Sequence, residues 1–351
     1  MLFKYVAFHY LKNMLIILMG LSSLFAGLDL LMNLSFLSSF NVKVLYAYFK
    51  WQEALGLLFP LAIIFGGVWT KISFIKQNSV AAFYALGVTR RAFFKPFFLV
   101  SLLTYFIFLG LNFTSFATAT DASNKLYKDA YSGSETQDLF FKYNDSFVYI
   151  DRLIPQKYKI ENLIIFKLKD DKVVETFSAT EAWYNIYEWV ATGVTKKSKV
   201  VNENGEVRLK VEKIAILHTL KDYQPQILES IYDGKALTLY ESFVAKKLLE
   251  NQELETYSIR TDIYVKMVMP LFSIALLMIL IFSFPFHARY MNMAMTTTKA
   301  VGGTLFVWGI LFALQGIGRN GILLPEVAVI LPISLLWVYA LYTLGKSKIS
   351  I

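Results

Sequence analysis

Long uncharged windows alternate along the chain with short charged stretches. A helix needs about 20 mostly apolar residues to cross a bilayer, and a charge near its centre is costly. Six windows approach this length, and they lie between charged residues 12 and 29, 53 and 71, 95 and 121, 266 and 289, 299 and 319, and 326 and 346. The apolar pattern of the first continues to about Leu37. The pattern predicts six membrane-spanning helices, three on each side of a polar middle segment.

The polar middle segment, residues 119–262, is dominated by short β-rich runs. Turn-like clusters separate these runs, which argues for an antiparallel sandwich or roll. A helical pattern at 237–252 leads back towards the fourth span. We therefore expect an α-helical membrane protein with an inserted all-β domain, with spans at 1–118 and 263–351. The predicted strands cover 146–150, 162–168, 172–177, 182–194 and 207–217.

Composition supports a membrane protein and excludes several kinds of chemistry. Hydrophobic residues make up 56% of the chain, and the mean hydropathy is +0.48. Cysteine is absent and the three histidines lie far apart in sequence, so a clustered metal site is not expected. The GKS at 345–347 lacks the earlier glycine of a phosphate-binding loop, because Ala340 stands there. We expect no catalytic residue, no metal site, no cofactor in this chain and no nucleic-acid partner.

Charge predicts the orientation of the spans. Outside residues 119–262 the chain carries 15 lysines and arginines, and 11 of them fall on the side shared by both termini. Cytoplasmic loops of membrane proteins carry an excess of lysine and arginine. Both termini and the loops at 71–95 and 286–299 are therefore expected in the cytoplasm, and the middle segment outside it.

Asp29 is the one acidic residue inside the predicted spans. A carboxylate within the membrane is a functional candidate by default, because burying its charge is costly. Asp29 also lies near the outer end of the first span, where water can reach it. Both interpretations are open at this point.

A basic loop follows the second span and reads SVAAFYALGVTRRAFFKPFF, residues 79–98. Its apolar spacing predicts a short amphipathic helix that ends near Gly87, with Thr89 as the N-cap of the third span. An ordinary interfacial loop would have the same basic residues. A permease without its own nucleotide site, however, needs a cytoplasmic contact for a separate ATPase. The spacing places Val80, Phe83, Tyr84 and Gly87 near one face.

Five motifs follow one another along the chain: FP at 59–60, SVAAFYALGVT at 79–89, DSFVYIDRL at 145–153, YVKMVMPL at 264–271 and NGILLPEVAVILP at 320–332. In this order they resemble the LptF/LptG family of lipopolysaccharide export permeases. The resemblance covers nearly the whole chain and fits the arrangement of three spans on each side of an insert. Within it, FVYIDR is more similar to LptG than to LptF.

The resemblance implies a jellyroll domain in the periplasm of a bacterium and a chain that crosses the inner membrane. It implies pairing with an LptF-type permease, a dimeric LptB-type ATPase that binds ATP and Mg, and a single-span LptC-type protein. The complex would extract lipopolysaccharide and pass it to a periplasmic bridge. Residues 77–88 would form the helix that couples to the ATPase. The coupling residues implied are Ser79, Phe83, Tyr84, Gly87, Arg90 and Arg91.

The first and fifth spans would line lateral gates for the lipid. Two departures from the family are visible, since Ser79 replaces a usual glutamate and the lysines expected near the outer end of span one are absent. Lys43 and Lys50 are the nearest substitutes for those lysines. The gate or cavity residues implied are Asp29, Asn33, Phe36, Lys43, Phe312 and Arg319.

Two other functions fit parts of the pattern. Permeases of the lipoprotein-release type also transmit force from an ATPase, but they usually have four spans with the outer domain after the first. A membrane-tethered scaffold could bind a ligand through its β-domain without transport. The scaffold predicts that no ATPase co-purifies with the chain.

Overall fold

The computed structural model divides into two compact units, each described by itself. One comprises Met1–Ser123 with Tyr257–Ile351 and is helical, and the other comprises Asn124–Thr256 and contains the strands. The structure describes residues 2–37, 39–128, 136–169, 172–201, 207–233, 235–284 and 292–346.

Long apolar helices make up the helical unit. Five of them can each span a membrane, and α8 with α9 forms a sixth candidate that is bent by 43°. The prediction of six spans is therefore confirmed, with the fourth broken. The helices are α1 (Leu2–Asn33), α2 (Phe40–Lys76), α3 (Ser79–Ala85), α4 (Arg90–Leu111), α5 (Ala119–Lys128, leading out of the unit), α8 (Tyr257–Met267), α9 (Leu271–Ser283), α10 (Met293–Arg319) and α11 (Leu331–Lys346, continuing a π-helical turn at Glu326–Ile330).

Helix α2 is the central helix of this unit. About two thirds of its most apolar window (67%) is buried, against 22% to 33% for the other four unbroken spans. Glycine allows the neighbouring helices to come close, because a Cβ on Gly66 would stand 2.6 Å from the Met14 Cα, and one on Gly67 would clash with Leu277. The core of the unit therefore forms where α1 and α9 pack on α2.

The break in the fourth span lies at Pro270. Proline has no backbone N–H and disfavours helical geometry in the residue before it. The chain passes through a turn between α8 and α9, and the carbonyl of Met267 accepts a hydrogen bond from the Tyr105 hydroxyl at 2.7 Å. A side chain from α4 thus satisfies a carbonyl at the break.

Six antiparallel strands form the sheet of the second unit within its described residues, each paired with its neighbours in sequence. The inserted all-β domain is confirmed. Its strand order is up-and-down, so the crossovers between two sheets that define a jellyroll are not found among the described pairings. The strands are β1 (Thr136–Tyr143), β2 (Ser146–Ile154), β3 (Lys159–Lys169), β4 (Lys172–Asn185), β5 (Glu188–Val201) and β6 (Val207–Thr219).

Two details of this unit differ from the sequence prediction. Strand β1 was not expected, and the predicted run 182–194 is two strands joined by a tight turn at Ile186 and Tyr187. The two arms of this hairpin are both β-rich and no glycine or proline marks the turn, so the pattern resembled one long strand. The helix expected at 237–252 is confirmed as α7 (Leu239–Asn251).

A second helix, α6 (Pro225–Asp233), precedes α7, and the strands pack around a buried tryptophan. The indole N–H of Trp189 donates to the backbone carbonyl of Tyr223 at 2.7 Å. Burial raises the pKa of the Tyr223 hydroxyl to about 12. This tyrosine therefore stays neutral at physiological pH and acts as a core residue.

Candidate functional site

The short helix α3 begins and ends with defined backbone geometry. Asn78 precedes it in the left-handed conformation with φ 55°, and Gly87 follows it with φ 81°. The N–H of Gly87 donates to Tyr84 O and that of Val88 to Phe83 O, both at 3.0 Å. These two bonds form a Schellman motif, in which glycine is favoured because it has no Cβ to strain. The predicted end at Gly87 is confirmed, although the helix is shorter than residues 77–88.

One face of α3 anchors it to the membrane helices. Val80 is fully buried, and Phe83 and Tyr84 pack against the core. The Phe83 ring lies 6.2 Å from the ring of Phe74 on α2, and the Tyr84 ring lies 6.2 Å from that of Phe93 on α4. Two of the predicted coupling residues, Phe83 and Tyr84, thus attach the helix to α2 and α4.

The opposite face of α3 is exposed and apolar. Leu86 is 80% exposed, and Ala82, Ala85 and Gly87 are exposed beside it. Ser79 is half-buried at the start of the helix. Sequence reasoning did not single out Leu86, although a large apolar residue immediately before the helix-ending glycine was the available signal. A partner that docks on α3 would meet Leu86 rather than the aromatic residues.

Basic residues near α3 bind the C-terminal ends of membrane helices. Lys71 is only 2% exposed, and its ammonium group donates to the carbonyls of Ile281 and Phe284 at the end of α9. Arg91 donates to the carbonyl of Leu344 in the last turn of α11 at 2.9 Å. The last carbonyls of a helix lack partners and carry partial negative charge. Arg91, a predicted coupling residue, therefore has a structural role within this chain.

Arg90 and Thr89 lie where α4 begins. The Thr89 hydroxyl accepts a hydrogen bond from the N–H of Ala92 at 3.2 Å, so the predicted N-cap is confirmed. Arg90 is half-buried in the first turn of the same helix. Its position next to α3 leaves it close to any partner that contacts the exposed face.

A polar network joins α1 and α2 at their other ends. Asp29 Oδ1 accepts a hydrogen bond from the Tyr46 hydroxyl at 2.5 Å and another from Asn33 Nδ2 at 3.2 Å. Lys50 Nζ lies 3.9 Å from Asp29 Oδ2 and 3.0 Å from Glu53 Oε2. Two of the predicted gate residues, Asp29 and Asn33, are thus brought together. Tyr46 and Glu53 complete the network, and sequence reasoning missed both. The partners of Tyr46, Asn33 and Asp29, lie 13 and 17 residues away on another helix, and Glu53 pairs with Lys50 on its own helix.

The other predicted gate residues lie at other positions, although the backbone N–H of Phe36 donates to the carbonyl of Asn33 at 3.1 Å. Phe36 is 38% exposed in the turn after α1, and Lys43 is half-buried in the first turn of α2. Phe312, 55% exposed on α10, lines a cavity inside the helical unit. Arg319 ends α10 and pairs with Asp262 on α8, with Nε 2.7 Å from Oδ1. The structure therefore does not bring the predicted gate residues together in one site.

Helix α8 is held by two ion pairs, and it supplies the acidic residue to one and the basic residue to the other. Its Asp262 accepts from Arg319 of α10, while its Arg260 donates to Glu326 at the start of the last span. Tyr264 also donates to Glu326, at 2.6 Å. These contacts fix α8 to both of the following spans.

Within the described residues, no group of three or more His, Asp or Glu is arranged to hold a metal ion. Comparison with models of protein families matches residues 4–346 to the lipopolysaccharide export system permease LptF/LptG. The match includes the helices on both sides and the strand-bearing insert. A search of curated proteins gives no significant match.

Proposed function

Because the chain belongs to the LptF/LptG family of lipopolysaccharide export permeases, we propose that it is the membrane subunit of an ABC transporter that extracts lipopolysaccharide from the inner membrane. It pairs with an LptF-type permease and an LptC-type protein and passes the lipid to a periplasmic bridge. A separate LptB-type ATPase supplies the energy, with ATP and Mg bound there. The family match over residues 4–346 carries this proposal. The permease itself is a transport subunit and not an enzyme.

The proposed orientation follows from charge. The basic loop around α3 faces the cytoplasm, together with both chain termini, and the strand-bearing unit faces the periplasm. Lys71 and Arg91 in this region bind helix ends within the chain, so the positive charge there also has a structural use. The exposed turn of α3 is then on the side where an ATPase is found.

Helix α3 has the properties of a rigid contact for that ATPase. Its buried face is fixed to α2 and α4 by aromatic packing, and its exposed face presents Leu86. Helix α2 has 37 residues, which is about 55 Å at 1.5 Å per residue. A displacement of α3 is therefore carried along α2 towards Asp29 and Lys50. Coupling of this kind requires the ATPase to contact α3 differently in its two states.

The assignment within the family rests on one motif. FVYIDR, more similar to LptG, lies in strand β2 between Ser146 and Ile154. Ser79, where relatives usually have glutamate, removes a charge from the first turn of α3. We propose that apolar contact through Leu86 and the charge of Arg90 replace it in binding the ATPase.

Substitution of Leu86 tests the proposed contact. The chain is co-expressed with its ATPase, the second permease and the single-span protein, and the complex is purified in mild detergent. We expect Leu86→Asp to lose most of the bound ATPase and lipopolysaccharide release, because a charge disrupts an apolar contact while the Schellman motif stays intact. Leu209→Asp is the matched control, since Leu209 is 61% exposed on strand β6.

Each result has a distinct meaning. ATPase binding and lipid release that are unchanged in Leu86→Asp would exclude α3 as the contact. Failure of the unmodified chain to bind any ATPase would instead support the membrane-tethered scaffold. Loss of binding in Leu209→Asp as well would show that the assay reports general instability.

A further inference from the structure

The helical unit contains a cavity of about 210 Å³ between α2, α4, α10 and the break of α8 and α9. For comparison, an apolar cavity of about 150 Å³ in another protein binds benzene. The cavity therefore has room for part of a lipid chain. Its lining is mostly aromatic and aliphatic and includes Leu57, Phe59, Phe108, Leu109, Trp308 and Phe312.

A buried polar side chain points to the kind of ligand. Gln315 lines the cavity and is only 8% exposed. In the described part of the chain its side-chain amide makes no hydrogen bond, whereas the amide of Asn112, also in the lining, donates to the carbonyl of Phe108 at 2.9 Å. An amide without a hydrogen-bond partner costs free energy in a region without water. The side-chain N–H groups of Gln315 thus lack an acceptor, which the carbonyl of a ligand can provide.

The surroundings of the cavity favour a lipid over water. It is formed by helices that are long and apolar enough to span a membrane, so a membrane lipid can reach its open side. Leu57 and Phe312, at 36% and 55% exposure, lie on its open side. Lys266 in the lining adds positive charge, which suits an acidic head group.

We propose that this cavity binds a fatty acyl chain of a membrane lipid, with the ester or amide carbonyl of that chain accepting a hydrogen bond from the Gln315 amide. The break at Pro270 creates the space, because α8 and α9 diverge there by 43°. The site lies within one subunit and is separate from the Asp29 network. It does not depend on the proposed coupling to an ATPase.

Photo-crosslinking tests the site in the full-length chain, reconstituted with its partners in vesicles. The probe is a phospholipid with a diazirine near the carbonyl end of one acyl chain. We expect adducts on the peptide that contains Trp308 and Phe312. Gln315→Leu removes the amide at similar volume and should reduce this labelling about threefold to tenfold, as expected for one lost hydrogen bond.

Two tryptophan variants separate the cavity from the outer surface. Leu109→Trp fills the cavity and should abolish the labelling, while Leu335→Trp, at a position 62% exposed on α11, should leave it at the level of the unmodified chain. Labelling that persists in both Leu109→Trp and Gln315→Leu would show that lipid reaches Phe312 from outside, and this would overturn the proposal. The absence of cavity adducts in the unmodified chain would indicate a water-filled or empty cavity, with the same consequence.

The lipid that supplies the bound acyl chain is identified by mass spectrometry of the lipid that the unlabelled protein complex retains. A two-chain glycerophospholipid indicates a resident membrane lipid, and a multiply acylated glucosamine lipid indicates the transported substrate. Either supports the acyl-chain site, provided that Gln315→Leu retains less of it than the unmodified chain. Equal retention by both proteins would contradict a role of the amide.

Discussion

At the scale of single residues, two cations complete the ends of membrane helices. Lys71 binds carbonyls at the end of α9, and Arg91 binds one in the last turn of α11. A carbonyl at a helix end has no partner in its own helix, and no water is available in the interior to replace it. Within the basic loop at 79–98, which contains no acid, the charge of Arg91 is therefore explained by a contact inside the chain.

Loss of the Lys71 cation should destabilise the helical unit. Lys71→Met keeps a long side chain but leaves the carbonyls of α9 without a donor, and we expect a loss of about 2 kcal/mol. Lys76→Met is the control, because Lys76 is exposed at the end of the same helix, and its effect should stay within about 0.5 kcal/mol. Thermal unfolding in detergent measures both. Equal effects of the two substitutions would contradict the role assigned to Lys71.

At the scale of elements, helix ends, ion pairs and tight turns fix how the helices and strands are placed. Helix α3 is fixed by its Schellman motif, and α8 by its pairs with Arg319 and Glu326. The β4–β5 hairpin turns at Ile186, which has φ 54°. A positive φ is a true outlier for a β-branched residue and costs about 1 to 3 kcal/mol.

The turn at Ile186 should accept glycine with a gain in stability. Ile186 is 70% exposed, so Ile186→Gly loses little burial and relieves the strain, and we expect about 1 kcal/mol of stabilisation. Tyr187→Gly is the control, because Tyr187 is similarly exposed and has no positive φ, and it should lose about 0.5 to 1 kcal/mol. Denaturant unfolding followed by tryptophan fluorescence distinguishes the two. Destabilisation by Ile186→Gly would disprove the strain.

The ion pair between Arg260 and Glu326, which holds α8, should show measurable energetic coupling between the two side chains. In a double-mutant cycle with Arg260→Met and Glu326→Gln, we expect an interaction of about 1 kcal/mol, since both side chains are only partly exposed. The exposed pair Lys246 and Glu250 on α7 is the reference and should give about 0.3 to 0.5 kcal/mol. Thermal unfolding of the single and double variants provides the values. Additive effects at Arg260 and Glu326 would mean that the pair does not hold α8.

At the scale of the whole molecule, charge and hydropathy divide the chain between three environments. The apolar helices suit hydrocarbon, and the proposed orientation places the basic loop around α3 in the cytoplasm and the strand-bearing insert in the periplasm. The family to which the chain belongs is that of the permeases of lipopolysaccharide export systems. The orientation is therefore central to the proposed direction of transport.

The absence of native cysteine allows a direct test of orientation. Single cysteines replace Leu86 and Leu209, which are 80% and 61% exposed. With a membrane-impermeant maleimide on spheroplasts, we expect Leu209→Cys to be labelled, and Leu86→Cys only after the membrane is opened. The reverse pattern would overturn the proposed orientation.

The sequence determined those features that depend on local pattern. Uncharged windows predicted the spans, and residues at helix ends, such as Thr89 and Gly87, marked boundaries, because a helix is specified by contacts within about four residues. The motifs along the chain also pointed to its family. Such signals need no knowledge of which segments meet.

Only the tertiary structure decided which residues face each other. It turned Phe83 and Tyr84 inward, gave Asp29 its partners Tyr46 and Lys50, and placed Arg319 beside Asp262. It also broke the fourth span at Pro270 and divided the run 182–194 into two strands. These outcomes depend on packing and pairing between residues far apart in the chain, whose energies are absent from any local window.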